Sequence, residues 1–443
     1  MNDSQPRAEP FQPVAQARGA APTRKRFHIL GLVFVSVIIN YMDRTNISVA
    51  AAALSDELSL SPVQMGLIFS AFGWTYSALQ IPGGILVDQV KIRILYPILL
   101  TAWSAATIVQ GLVSSFAALV GARMAIGVFE APSFPCNNKI ATQWFPPQER
   151  ASAIAVYTSG QFIGLAFLLP VLALIQDAFG WRGLFIVSGA VGIVWAVVWY
   201  ALYRDPKDHG SISPEELEFI NSERGDTGER HGEAGVKLTL ADFVTVFSNR
   251  KLWGIYIGKF CLGGTLIFFL TWFPTYLAEY RGLGFVKSGF LASVPFLAAF
   301  LGVLVSGFCS DYLVRSGYSN EFARKAPVVV GMLLTTAIVG ANYTDDTVWV
   351  IVCLSVAFFG NGLSSIAWVF VSFLSPPRLI GLVGGAFNFV SSLSAVTVPV
   401  VIGFLVTGGD FKPALVFIAG LAGLGAFSFL FLVGKIEQIE IER

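Results

Sequence analysis

The residues best suited to do chemistry are four charged side chains within two apolar segments. Asp43 and Arg44 lie in the middle of the apolar run 29–54, and Arg123 and Glu130 lie seven residues apart in a second run. About 20 apolar residues are enough to cross a bilayer, where each charged side chain costs roughly 2.5–3.5 kcal/mol on insertion scales. Neighbouring helix positions point about 100° apart, so we expect Asp43 and Arg44 to find different partners. Such charges indicate a transport pathway rather than a lipid-facing helix.

Arg44 is the candidate ligand for a negatively charged substrate. A guanidinium group stays protonated and can hold a carboxylate through two parallel hydrogen bonds. The alternative is that Arg44 only neutralises Asp43 or Glu130.

Glu130 is the candidate proton-binding group. Burial penalises its charged form whereas a nearby guanidinium stabilises that form, so movement of an arginine could switch its protonation. Seven helical residues place Arg123 and Glu130 on one face but about 10 Å apart along the axis. A partner on another helix is therefore as compatible with the spacing as a direct pair, and a purely structural ion pair remains the alternative.

Several polar side chains on apolar segments could bind hydroxyl groups of a substrate, although bonds between helices would satisfy them equally well. They are Tyr41, Tyr76, Gln161, Asn361, Trp368 and Asn388. Lys259 stands alone in a further apolar segment. It either reaches the membrane surface along its aliphatic stem or supplies a second positive charge to the pathway.

The composition places these residues in a membrane protein. Hydrophobic residues make up 55% of the chain and charged residues only 13%, against about 25% charged in soluble domains. The net charge of +1 without a basic cluster argues against a nucleic-acid partner. The four cysteines show no metal-ligand spacing, and no phosphate-binding loop, zinc motif or serine-hydrolase turn occurs. We therefore expect no enzyme activity, cofactor or metal.

The apolar segments predict an all-α membrane protein with 12 transmembrane helices in two six-helix bundles. The predicted regions are a disordered tail (1–26), the first bundle (27–203), a linker (204–250), the second bundle (251–434) and a second tail (435–443). With the N-terminus inside, 22 of the 29 basic residues fall on the cytoplasmic side, which predicts that both termini are cytoplasmic.

The two bundles resemble internal repeats. Gly84–Asp88 ends the second predicted helix, and Gly307–Asp311 ends its counterpart in the second half. Gln161 and Asn388 also occupy corresponding positions. Two six-helix repeats are the plan of the major facilitator fold, in which substrate binds at the midplane between the halves. Asp88, Arg93 and Asp311 are then gate or stability elements rather than ligands.

Longer motifs carry a more specific resemblance. The segment 84–93 resembles the major facilitator loop signature but departs from it at Gln89 and Lys91. Eight further segments resemble the anion:cation symporter family, and within it the proton-coupled D-galactonate transporters of bacterial inner membranes. These segments are Asn40–Arg44, Ile126–Pro135, Trp144–Arg150, Tyr157–Phe162, Phe269–Pro274, Gly340–Thr344, Phe358–Gly362 and Arg378–Leu382.

The resemblance spans residues 27–434. It implies a multi-pass protein of a bacterial inner membrane that takes up a sugar-acid anion with protons by alternating access. We expect this protein to be a monomer. The resemblance also implies that Asp43 and Glu130 bind protons, with Arg123 as the partner of Glu130. The implied substrate site is Arg44, Tyr41, Tyr76, Gln161, Trp368 and Asn388.

Two positions depart from the family pattern. Lys259 and Ala367 stand where the family usually has glutamine and threonine. The extra cation and the lost hydroxyl could shift preference to another aldonate or to a hexarate. An exchanger of organic anions or phosphate esters is the alternative function, and a membrane sensor is less favoured.

Overall fold

The computed structural model describes residues 23–221, 240–376 and 379–439, and all regular structure in these ranges is helical. The helices are α1 (Lys25–Leu58), α2 (Pro62–Ala78), α3 (Gln80–Gln89), α4 (Ile92–Leu112), α5 (Phe116–Glu130), α6 (Ser133–Trp144), α7 (Pro147–Leu202), α8 (Pro214–Asn221), α9 (Leu240–Ser248), α10 (Arg250–Thr271), α11 (Phe285–Arg315), α12 (Asn320–Thr335), α13 (Thr347–Leu363), α14 (Val369–Leu374), α15 (Ile380–Leu405) and α16 (Lys412–Phe427). Short 3₁₀ and π-type turns extend several of them, among them Tyr276–Tyr280, Thr336–Tyr343 and Ser364–Trp368.

Most of the first predicted tail, residues 440–443 of the second, the middle of the predicted linker and Arg378 lie outside the described residues. The predicted domain boundaries therefore remain predictions. The side chain of Asp311 is also outside the description, although its backbone belongs to α11.

Helices dominate because a bilayer offers no water to satisfy a free backbone N–H or C=O group. Local signals mark their ends. Ser61 begins α2 with a capping box, in which its hydroxyl accepts from the Gln64 N–H at 3.2 Å and the Gln64 side chain accepts from the Ser61 N–H at 2.9 Å. Both bonds satisfy donors that the first helical turn would otherwise leave free.

Ten helices of the described ranges are long and apolar enough to cross a membrane. One of them, Ser152–Leu202, has 51 residues and would be about 77 Å long, more than twice the roughly 30 Å of a bilayer core. Its path is broken at Gly180, whose φ of 70° favours glycine. The α2–α3 segment is interrupted at Leu79 and is not among the ten. The number of twelve crossings therefore remains a prediction.

The bundle has two ends. We call the end that contains Lys25, α8 and the C-terminal residues the terminus face. There the Ile439 N–H donates to the Leu374 carbonyl at 2.9 Å. The opposite end, where α1 connects to α2, is the loop face.

At the terminus face, Glu216 of α8 fastens the start of α1. Its buried carboxylate accepts from the Thr23 hydroxyl at 2.6 Å, from the Lys25 N–H at 2.9 Å and from the Arg26 N–H and side chain. The first-turn donors of α1 thus receive a carboxylate that comes from 190 residues away in the chain. Burial alone would raise the pKa of Glu216, but these hydrogen bonds lower it below its ordinary value.

We predict that Glu216→Gln lowers the melting temperature by several degrees at neutral pH. Loss of the charge weakens hydrogen bonds that are worth roughly 1.5–3 kcal/mol when the acceptor is ionised. Because the folded pKa is lowered, this stability is present above the unfolded pKa and is lost as pH falls through the folded pKa. Thermal unfolding of the purified protein should therefore show the difference between wild type and variant shrinking from pH 7 towards pH 4.

The exposed neighbour Glu215 provides the control, because Glu215→Gln should change the melting temperature little. An equal effect of both substitutions, or a Glu216→Gln effect independent of pH, would contradict the role given to the carboxylate.

Candidate functional site

The centre of the candidate site is an ion pair between α1 and α5. The Arg44 Nε atom lies 2.9 Å from Glu130 Oε2, and the Glu130 side chain is fully buried while that of Arg44 is 13% exposed. The guanidinium also lies 4.6–4.9 Å from the ring centroids of Tyr41, Phe72 and Tyr76. Aromatic faces attract a cation, so the rings and the carboxylate together hold Arg44 in place.

The local sequence explains the position of Glu130. It is the last residue of α5, and the next helix begins only at Ser133. Pro132 lies in this break and has no backbone N–H to continue the helix. The carboxylate therefore sits at a bend in the chain, within reach of α1.

Asp43 finds a different partner, as expected from its direction on α1. The Trp103 indole N–H donates to Asp43 Oδ2 at 3.2 Å, and Arg123 Nη1 donates to the Asp43 backbone carbonyl at 3.3 Å. The expectation that Arg123 pairs with Glu130 differs from this geometry, in which the ion pair of Glu130 is made by Arg44. Helical spacing alone could not distinguish the two arginines.

Trp103 is a site residue that the sequence reading missed. A buried indole N–H usually finds an acceptor, and that requirement was the available signal.

Both acids keep one oxygen atom free of protein donors. Asp43 Oδ1 and Glu130 Oε1 are buried and have no hydrogen-bond partner among the described residues. Each of these atoms can therefore carry a proton without displacing a protein donor.

The polar residues predicted to bind substrate fall into two groups. Gln161 is half-buried and Asn388 is exposed, and neither side-chain amide bonds to a described residue. Trp368 is 43% exposed and meets Phe387 edge-on at 5.0 Å. An amide facing lipid would cost free energy, so these side chains favour a polar opening. Asn361, in contrast, is buried and donates to the Leu262 carbonyl at 2.9 Å, which ties α13 to α10.

Lys259 of α10 lies over the Phe387 ring with its Nζ atom 5.5 Å from the centroid. It is half-buried and has no ion pair or hydrogen bond with a described residue. Because Phe387 also contacts Trp368, these three residues of the second half form one cluster.

Asp88 and Arg93, the two predicted gate residues whose side chains the structure describes, form no ion pair with each other. Asp88 is exposed and has no side-chain partner in the described ranges, and Arg93 lies over the Tyr200 ring at 5.2 Å. Lys139 was not predicted here. Its Nζ atom donates to the Val87 carbonyl at 2.6 Å and so links α6 to the end of α3.

The two halves touch closely near the loop face. A Cβ atom added to Gly66 of α2 would lie 2.5 Å from the Pro399 carbonyl oxygen, and one added to Gly403 of α15 would lie 2.6 Å from the Pro62 oxygen. Gly289 of α11 approaches Ala173 of α7 in the same way. We call these contacts the glycine seam. It holds the two halves together near the loop face.

Towards the terminus face, the continuation of α2 does not extend the seam. Ile81 and Ile85 of α3 are 78% and 54% exposed, and Phe308 of α11 is 76% exposed. Apolar side chains exposed on membrane-spanning helices suit contact with lipid tails, so the close contacts described here between the halves are those near the loop face.

The sequence pattern of the Major Facilitator Superfamily matches residues 33–399. The chain belongs to this superfamily. Membership confirms the predicted fold class and supports a transporter rather than an enzyme.

Two relatives among bacterial proteins bear on the substrate. The chain is 47% identical to the D-galactonate transporter of Escherichia coli O6:H1 over 95% of this chain and 98% of that protein. It is 38% identical to a probable galactarate/D-glucarate transporter of Escherichia coli K12 over 94% and 97%. These values confirm the resemblance inferred from the motifs.

Among solved structures, the chain is similar to a bacterial homologue of the human lysosomal transporter Spinster in an inward-facing and occupied conformation. The TM-score is 0.69 at 20% identity, covering 93% of this chain and 95% of that one. Similarity at this identity concerns the major facilitator fold.

We predict that Gly66→Ala opens the loop face. The added methyl group would meet a backbone oxygen of α15, which cannot move like a flexible side chain. In a background without the native cysteines, maleimide labelling of Ala52→Cys, which lies beside the seam and is 7% exposed, should become several-fold faster.

Gly31→Ala is the matched control, since no atom lies within 4 Å of a Cβ at that glycine. Unchanged labelling in Gly66→Ala, or equal acceleration in Gly31→Ala, would refute a closed glycine seam.

Proposed function

We propose that this protein imports a sugar-acid anion together with protons by alternating access. It acts as a monomer in a bacterial inner membrane with both termini cytoplasmic. The named substrates of the relatives support a sugar acid, and the excess of basic residues on the terminus face supports the orientation. In this orientation the glycine seam lies on the side of the membrane away from the cytoplasm, and we propose that the site opens to the cytoplasm.

The observation that carries the proposal is the buried ion pair of Arg44 and Glu130. Both charges lie in an apolar bundle, where an unpaired charge is strongly disfavoured. While Glu130 is ionised, it already neutralises Arg44. A substrate carboxylate would then place two negative charges beside one guanidinium.

Protonation of Glu130 removes that conflict. The neutral acid releases the positive charge of Arg44, which can then take the substrate carboxylate. Loss of the proton restores the internal pair and expels the anion. One guanidinium shared between two carboxylates thus couples anion binding to proton binding.

Asp43 is the second proposed proton site. It is buried behind Arg44 and hydrogen-bonded to Trp103, with Arg123 held at its backbone carbonyl. Its protonation state acts on α1, which also carries Arg44. In this proposal Arg123 compensates charge within the first half and does not contact substrate.

The remaining polar residues would form hydrogen bonds with the hydroxyl groups of the sugar acid. Gln161 and Asn388 have side-chain amides without described protein partners, Tyr41 and Tyr76 lie beside the Arg44 guanidinium, and Trp368 contacts Phe387. The hydrogen bond of Asn361 gives it a structural role beside the site instead.

Uptake of labelled D-galactonate into proteoliposomes tests this function. We expect accumulation that requires an inward proton gradient. Asp43→Asn, Glu130→Gln and Arg44→Ala should each reduce it to the level seen without a gradient. Arg44→Ala should also weaken substrate binding by about 30-fold or more, since truncating one partner of a buried charge pair costs about 2–5 kcal/mol.

Glu130→Gln should still exchange substrate, because a neutral amide resembles the protonated acid. Lys251→Gln, which removes only a partly exposed ion pair with Glu437, is the control with unchanged uptake. Normal gradient-driven uptake in all three site variants would refute the mechanism. Counterflow without net uptake in wild type would favour an organic-anion or phosphate-ester exchanger.

Lys259 is the proposed determinant of substrate charge. Arg44 can serve one carboxylate, whereas Lys259 brings a second positive charge that no described acid neutralises. A hexarate carries two carboxylates and can use both cations, while an aldonate carries one.

We predict that Lys259→Gln weakens competition by galactarate about tenfold or more, because the lost contact is worth at least ~1.4 kcal/mol. Competition by D-galactonate should change much less. Measured inhibition constants of both compounds against labelled uptake decide this, with Lys251→Gln as the control. Equal losses for both acids would assign Lys259 a role that does not depend on the second carboxylate.

A further inference from the structure

A second polar feature lies outside the transport pathway, at the terminus face of the first half. A groove of about 840 Å³ runs between the start of α1, the end of α7 and the connector at residues 203–211. We call it the α1–α7 groove. None of the residues discussed for transport lines it.

The upper rim of this groove is positively charged. Lys25, His28, Arg204 and His209 line it, together with one acid, Asp208. The side chains of Lys25 and Arg204 make no ion pair with a described residue. Burial and the nearby charges of Lys25 and Arg204 lower the pKa of His209, so the positive charge of the rim comes from Lys25 and Arg204.

The Arg204 side chain is held in position. Its Nη1 atom donates to the carbonyl groups of Tyr200 at 2.9 Å and Tyr203 at 2.7 Å. Glu216 already occupies the N-terminal donors of α1. An anion in the groove would therefore be held by side chains and not by the helix end.

The lower wall of the groove is apolar. Ile29, Leu32 and Val35 of α1 face it, with Leu202 of α7. The distance along α1 from Lys25 to Val35 is about 15 Å, which is half of the roughly 30 Å hydrocarbon core. The groove is thus long enough to follow one leaflet from the charged surface to near the middle of the bilayer.

Trp195 lines the same groove and donates from its indole nitrogen to the Ser36 hydroxyl at 2.8 Å. The indole therefore braces α7 against α1 along the apolar wall. The wall is built by both helices, and a ligand lying on it would contact both.

A lysine at the terminus face of the second half does have an acidic partner. Lys251 lies in the first turn of α10 and pairs with Glu437. Lys25 and Arg204 have no comparable acidic partner in the described ranges.

We propose that the α1–α7 groove binds an anionic phospholipid, with its phosphate between Lys25 and Arg204 and an acyl chain along the apolar wall. A cationic pocket at the membrane surface favours acidic headgroups. A small soluble anion would gain nothing from the apolar wall. The lipid would clamp α1 against α7 and thereby stabilise the first half.

The test uses the purified full-length protein in detergent with dioleoyl phosphatidylglycerol or dioleoyl phosphatidylcholine at equal mole fraction. Native mass spectrometry counts bound lipid, and thermal unfolding reports stabilisation. We expect phosphatidylglycerol to bind and stabilise more than phosphatidylcholine. The double variant Lys25→Gln/Arg204→Gln should bind phosphatidylglycerol at least about tenfold more weakly, since each basic residue near an anionic lipid contributes on the order of 1 kcal/mol.

Arg250→Gln/Lys251→Gln is the matched control and should retain the preference. If the groove variant does not fold, the wild type still decides, because its preference for phosphatidylglycerol should fall at high salt. Equal binding of both lipids, or undiminished binding in a folded groove variant, would overturn the proposal. Equal stabilisation by inorganic phosphate would identify a soluble-anion site instead. None of these measurements depends on transport, so they stand apart from the proposed function.

Discussion

An arginine and a glutamate that neutralise each other inside an apolar bundle impose the main constraint on this protein. Neither Arg44 nor Glu130 can lose its partner without leaving an uncompensated buried charge. Three aromatic rings surround the guanidinium, and the interruption between α5 and α6 directly follows Glu130. Both features help to position this pair. In the proposed function this constraint links proton binding to anion binding. A proton can replace Arg44 as the partner of Glu130, and a substrate carboxylate can replace Glu130 as the partner of Arg44.

The glycine seam imposes a second constraint of the opposite kind. Near the loop face the halves meet through backbone atoms beside Gly66 and Gly403, and the Phe69 and Trp272 rings also meet between them. Such contacts can separate without repacking a core, whereas each half keeps its own buried side chains. Movement of two rigid bundles is therefore compatible with the packing, and such a movement would have to separate the seam before the loop face could open.

Unbalanced positive charge marks both sites that we propose for ligands. Lys259 lies in the pathway over an aromatic ring, and Lys25 and Arg204 lie at a membrane-level groove with an apolar wall. Their surroundings distinguish the ligands. Lys259 shares the Phe387 ring with Trp368, a residue of the proposed substrate site, whereas the apolar wall below Lys25 suits an acyl chain.

The sequence alone determined the fold class, because a bilayer admits few backbone arrangements and long apolar runs are visible without coordinates. It also identified Asp43, Arg44, Arg123 and Glu130, since charges stand out in such runs. It did not determine that Arg44 rather than Arg123 pairs with Glu130, or that Trp103 binds Asp43. Helical periodicity assigns each residue to a face of its own helix, but only tertiary packing decides which faces meet. The same reason left Asn361 undecided until its bond to α10 was seen.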